Sequence, residues 1–116
     1  MTELECVYLV AQAADAKRGE DIVALDVRRL TTVTDYFVLV SATNSRMLDA
    51  ICEHIIDELS LSGITGIVPE GEAATGWVVL DIGGVVVHLM SEEMRNSYNL
   101  EKVWHEAIYL DNVLSH

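Results

Sequence analysis

Residues 77–90, WVVLDIGGVVVHLM, constrain the fold more than any other stretch, because they predict a β-hairpin together with its register. Gly83 and Gly84 suit a two-residue turn that needs positive φ at both positions. With that turn, Trp77 lies opposite Met90. Because side chains alternate across a sheet, every residue of the hairpin is thereby assigned to one face or the other.

The two predicted faces differ in polarity. One is apolar throughout and is expected to form part of the core: Val78, Leu80, Ile82, Val85, Val87 and Leu89. The other is mixed and is expected to be only partly covered: Trp77, Val79, Asp81, Val86, His88 and Met90. Tryptophan is a frequent interface anchor, so its place on this second face indicates contact with another molecule. The alternative is that a C-terminal helix carrying Trp104 covers the face and buries Trp77.

His88 and Asp81 are diagonal neighbours on the mixed face, within predicted hydrogen-bonding reach. A catalytic interpretation would make Asp81 the carboxylate that orients a general base. No matching nucleophile is found in the sequence, so a structural or interfacial polar pair is favoured.

The remaining pattern predicts an α+β fold with a mixed five-stranded sheet packed with helices. Helices are predicted at residues 2–18, from Asn44 or Ser45 to about Gly63, near 92–98, and from about Leu100. Strands are predicted at 22–27, 36–41 and 64–68, in addition to the hairpin, and the first two are expected to pair antiparallel. We expect one domain across residues 1–116.

The charge balance disfavours some functions. The chain has 19 acidic and 7 basic residues, a formal net charge of −12. Such a field repels phosphate backbones, so direct binding to nucleic acid is not expected, whereas a basic partner protein gains in encounter rate. No apolar run reaches the ~20 residues of a membrane span, and the acidic start MTELEC does not resemble a leader, so a cytoplasmic location is expected.

Several motifs, in order, resemble the ribosomal silencing factor family, also called Iojap-like proteins. They are DYFVLVSATNSRMLDAI at 35–51, EG at 70–71, GWVVLDIGGVVVHLM at 76–90, Arg95, and YNLEKVW at 98–104. The resemblance covers about residues 5–110.

The resemblance implies a translational repressor that binds protein fourteen of the large ribosomal subunit and blocks joining of the small subunit. It also implies a nucleotidyltransferase-like core without that active site. The implied partner-binding positions are Trp77, Asp81, His88, Arg95, Tyr98 and Leu100, with Trp104 either core or interface. Met90 is also predicted to bind the partner, since it shares the mixed face of the hairpin with Trp77. Steric exclusion needs no chemistry, so neither a catalytic residue nor a cofactor is predicted.

Three alternatives stay open. A nucleotidyltransferase needs closely spaced carboxylates and a Gly-Ser entry, but the stretch after the second strand reads SATNSR. A metal site would have to be assembled from scattered side chains: Cys6, Cys52, His54, His88, His105 and His116. A homodimeric scaffold could use the mixed face as its self-interface, since symmetric dimers are the commonest oligomers.

Overall fold

A mixed five-stranded sheet with two long helices on one face forms the framework of the protein. The computed structural model describes residues 1–114. The elements are α1 (Glu3–Ala16), β1 (Glu20–Asp26), β2 (Tyr36–Ala42), α2 (Ser45–Leu61), β3 (Trp77–Asp81), β4 (Val85–Ser91), α3 (Glu92–Tyr98), α4 (Leu100–Val103) and β5 (Ile108–Tyr109). The strand order is β3-β4-β2-β1-β5, and the predicted α+β class with a mixed five-stranded sheet is confirmed.

Side chains of the preceding residues fix where the two long helices begin. The Thr2 hydroxyl accepts from the Glu5 amide and the Glu5 carboxylate accepts from the Thr2 amide, which is a capping box. Asn44, one of the two predicted caps, accepts from the Met47 amide at 2.9 Å and starts α2. The buried residues of α2 form one stripe at helical spacing: Leu48, Ile51, Cys52, Ile55 and Leu59.

The turn after α1 contains a non-glycine residue with positive φ. Arg18 takes the left-handed conformation, with φ of 65°, while Gly19 lacks a positive φ. Gly19 is required for close packing instead, since a Cβ there would lie 2.8 Å from Cγ1 of Val40.

The sheet combines both strand orientations. β1 pairs antiparallel with β2, as predicted, and β2 pairs parallel with β4. The prediction of a strand at residues 64–68 is wrong, because those residues lie outside the sheet. The fifth strand is β5, in a segment that was predicted to continue the helix starting at Leu100. In the structure that helix, α4, ends at Val103. β5 pairs with Leu25 and Asp26 at the end of β1, where the edge of that strand would otherwise have unpaired backbone groups.

The sheet is covered unevenly. α1 and α2 cover one face, most of whose apolar side chains are buried in the main core. The opposite face has a smaller cluster, formed by Leu25 on β1, Val27 just after it and Leu39 on β2. Three residues of the C-terminal segment cover this cluster: Leu100, Trp104 and Ala107. The second face of the β3–β4 hairpin is therefore left only partly covered. Among residues 1–114, no helix combines the length and the apolar character needed to cross a membrane.

Candidate partner-binding site

The β3–β4 hairpin has the predicted register. Trp77 pairs with Met90 and Asp81 pairs with Val86. The apolar face lies under the helices, and Ile82 on it is half-buried. The other five residues of this face are buried: Val78, Leu80, Val85, Val87 and Leu89. On the other face Trp77 and His88 are half-buried.

The turn itself differs from the prediction of positive φ at both glycines. Only the first has one, Gly83 with φ of 70°. A Cβ at Gly84 would lie 2.7 Å from Cγ of Glu3 and 3.0 Å from Oδ2 of Asp35, so a larger residue there would have to displace these two side chains. The Gly84 carbonyl also accepts from the amides of Asp35 and Tyr36. The turn is therefore fixed against the start of β2.

Five rings form a continuous row across the open face. The distances between ring centroids are 4.7 Å from Tyr98 to Trp77, 5.9 Å from Trp77 to His88, 5.4 Å from His88 to Phe37 and 5.2 Å from Phe37 to Trp104. We call these residues the aromatic row. Trp104 covers Phe37 rather than Trp77, so the C-terminal segment covers only one end of the face.

A hydrogen bond at the centre of the row fixes the indole of Trp77. Its Nε1–H donates to Nδ1 of His88 at 3.1 Å. Burial lowers the pKa of His88 to about 4, so the ring is neutral at pH 7 and Nδ1 can accept. The predicted pairing of His88 with Asp81 is wrong, since the Asp81 carboxylate accepts from the Gly83 amide at 3.2 Å. His88 has two diagonal neighbours, Trp77 and Asp81. It pairs with Trp77 because the indole N–H, once removed from water, needs an acceptor.

Tyr98 reaches Trp77 because the chain reverses immediately after α3. Ser91 caps α3 by accepting from the Met94 amide, and its own amide donates to the carbonyl of Gly76, next to Trp77. Asn99, with φ of 38°, ends α3 and caps α4. Tyr98 thus projects at the surface with 54% of its area exposed.

Arg95 does not lie on the surface, which corrects its prediction as a contact residue. It is 7% exposed, and its guanidinium donates from Nε to Glu101 at 2.8 Å, from Nη1 to the Ser41 hydroxyl at 2.9 Å and from Nη2 to the Asp21 carbonyl at 2.8 Å. Asp21 has φ of 48° and lies at an irregularity in the β1–β2 register. Arg95 therefore connects α3 and α4 to strands β1 and β2 of the sheet.

The other three predicted contact residues differ in how far they are buried. Met90 is fully buried, so its prediction as a contact is wrong; α3 begins directly after β4 and packs against that strand. Leu100 is half-buried in the smaller cluster with Trp104. Asp81 is exposed at the end of β3. Phe37 was missed, although alternation along β2 places it on the face opposite Val38.

Within residues 1–114, no group of three or more His, Cys, Asp or Glu side chains could hold a metal ion. Burial raises the pKa of both free cysteines, Cys6 and Cys52, to about 11, so their thiols are protonated at pH 7. His54 lies 3.8 Å from Glu58, while His116 is outside the described residues.

A half-buried aromatic face with a polar margin on an acidic protein has the features of a protein-binding surface. The profile of the family described as "Ribosomal silencing factor during starvation" matches residues 1–115. The chain belongs to this family, which confirms the resemblance seen in the sequence.

Two relatives and one solved structure illustrate the similarity. Ribosomal silencing factor RsfS of Bacillus subtilis is 37% identical over 111 residues, covering 96% of this chain and 94% of that protein. The mouse protein "Mitochondrial assembly of ribosomal large subunit protein 1" is 34% identical over 91 residues, covering 76% of this chain and 40% of that protein. A crystal structure of a Chromobacterium violaceum protein has a TM-score of 0.85 at 30% identity, covering 90% of this chain and 88% of that one.

Proposed function

We propose that the protein is a cytoplasmic translational repressor that binds the large ribosomal subunit through its protein fourteen and sterically blocks joining of the small subunit. Membership of the ribosomal silencing factor family supports the ribosomal target, as does the name of the mouse relative. The observation that carries the choice of surface is the aromatic row. In this row the indole of Trp77 contacts His88 and Tyr98 but is only half-buried, so a partner could bury the rest of its surface.

The proposed contact residues are the members of the predicted set that are exposed or half-buried: Trp77, Asp81, His88, Tyr98 and Leu100. Trp77 contacts both His88 and Tyr98, and Asp81 lies at the end of the same strand as Trp77. Ribosomal proteins are typically basic, and the net charge of −12 favours encounter with such a protein while opposing contact with the surrounding RNA. Occupying a surface that the small subunit needs is sufficient for repression. Neither a cofactor nor a membrane is part of this proposal.

Trp77→Ala tests the proposal. We expect it to weaken binding to purified large subunits by about 2–4 kcal/mol, as measured by cosedimentation, because an interface anchor is lost. Leu61→Ala is the matched control, since Leu61 is 83% exposed at the end of α2, away from the row. Unchanged binding by a folded Trp77→Ala protein would exclude this surface.

A second measurement tests the mechanism. Purified small and large subunits are mixed with the protein, and the joined ribosomes are quantified on sucrose gradients. The wild-type protein should reduce joining, whereas Trp77→Ala should not. If the purified protein instead dimerises through Trp77 and leaves joining unaffected, the homodimeric scaffold would replace this proposal.

A further inference from the structure

A groove runs along the outer edge of β3, on the side of the sheet opposite the aromatic row. Its volume is about 550 Å³, and it lies between α2 and the loop 69–76. Cys52, Ile56 and Val78 form an apolar floor. Three carboxylates stand at the rim, Asp49 and Glu53 from α2 and Glu72 from the loop. We call this feature the edge groove.

Local structure makes the edge groove a defined shape. Glu70 pairs with Val79 through two backbone hydrogen bonds of 2.8 and 2.9 Å, which places the loop alongside β3. Gly71, with φ of 89°, lies so close to the strand that a Cβ would be 2.5 Å from the Trp77 carbonyl oxygen. The short 3₁₀ turn Ala73–Thr75 then packs against α2. The loop wall of the groove is therefore fixed to the backbone of Trp77.

The charged side chains that line the edge groove are all acidic. No Lys, Arg or His is among the described residues that line it. Asp49 and Glu53 are four residues apart and so lie on one face of α2, where like charges repel. Both carboxylates contribute to raising the pKa of the Cys52 thiol in the floor, although burial is the larger cause. Their field therefore acts on the groove itself.

We propose that the edge groove binds a Lys or Arg side chain from a basic segment of the same large-subunit partner that covers the aromatic row. Lysine and arginine have a long apolar stem and a charged end. The stem fits the apolar floor, and the charged end fits among the carboxylates of the rim. This inference rests on the proposed function.

Continuity along β3 favours this occupant over an unrelated one. Trp77 and Val78 are consecutive, so their side chains point to opposite sides of the same edge strand. A partner that wraps around this edge would contact the indole on one side and the edge groove on the other. The aromatic row would then supply the apolar contact, while the edge groove would add recognition of a basic segment.

Charge reversal tests the edge groove, with net charge held equal. Glu53→Lys and, separately, Glu72→Lys are compared with Asp15→Lys, which makes the same change at an exposed position of α1 outside the groove. Affinity for purified large subunits is measured at one ionic strength, and folding is checked by circular dichroism. Each groove variant should bind at least about tenfold more weakly than Asp15→Lys.

The controls separate this inference from the proposed function. If the wild type binds and Trp77→Ala does not, but the groove variants match Asp15→Lys, the edge-groove inference is overturned while the proposed function stands. If the wild type itself does not bind large subunits, both are overturned. If Glu53→Lys alters the oligomeric state of the isolated protein in analytical ultracentrifugation, a second copy occupies the groove, and the ribosomal occupant is wrong.

Discussion

Lowering the pH from 7 to 5 should destabilise the protein through His88. Its pKa is about 4 in the folded protein, because of burial, against an ordinary value of 6.5. The unfolded chain therefore binds a proton more readily than the folded one. The stability contributed by the neutral ring is intact above pH 6.5 and is lost progressively as the pH falls toward 4.

The size of the effect follows from these two pKa values. At pH 5 the unfolded histidine is almost fully protonated while the folded one is about one-tenth protonated, which amounts to a loss of about 2 kcal/mol. Protonation would also make Nδ1 a donor facing the indole N–H of Trp77, so the 3.1 Å hydrogen bond would be lost. The aromatic row should therefore loosen in the same pH range.

Urea denaturation at pH 7 and pH 5 measures this effect. For a protein of this size, 2 kcal/mol corresponds to a midpoint lower by about 1 M. The control is His88→Asn, in which Oδ1 can accept from Trp77 but does not titrate. The two proteins share all their other side chains, so any difference in pH dependence between them comes from position 88. Equal pH dependence in the two proteins would refute the argument from burial.

Two further substitutions test how the site is supported. Arg95→Met should lower the free energy of unfolding by about 3–5 kcal/mol, because it leaves the Glu101 carboxylate without its buried partner; a loss below about 1 kcal/mol in urea denaturation would contradict this. Gly84→Asp should destabilise by up to about 1 kcal/mol, because its carboxylate would lie beside those of Glu3 and Asp35 and would have to displace them. Gly84→Ala separates the steric part, so identical losses in the two Gly84 variants would show that charge contributes nothing.

Much of the fold could be predicted from the sequence, because the determining signals are local. The glycine pair at 83–84 fixes the hairpin register, and strict alternation then places Trp77 and His88 on one face. The stripe of α2 follows from the helical period, and its start follows from the capping side chain of Asn44. The same alternation would have included Phe37 in the row, had it been applied to β2.

The predictions that were wrong concerned features that depend on contacts between distant parts of the chain. The spacing of Leu100, Trp104 and Ile108 is compatible with a helix, yet the unpaired edge of β1 takes Ile108 into a strand. The sequence likewise could not show that the acceptor for the Trp77 indole would be His88. A one-dimensional pattern assigns residues to faces, but it does not determine which of two diagonal neighbours comes closer.

The sequence by itself determined the family, the α+β class, the hairpin register and the face on which Trp77 lies. Only the tertiary structure decided that Arg95 is internal, that Met90 is buried, and that the edge of β3 has an acidic groove opposite the row. The physical reason is that register and helical period are fixed over a few residues. Burial and charge environment are instead set by what the rest of the chain places on top of each residue.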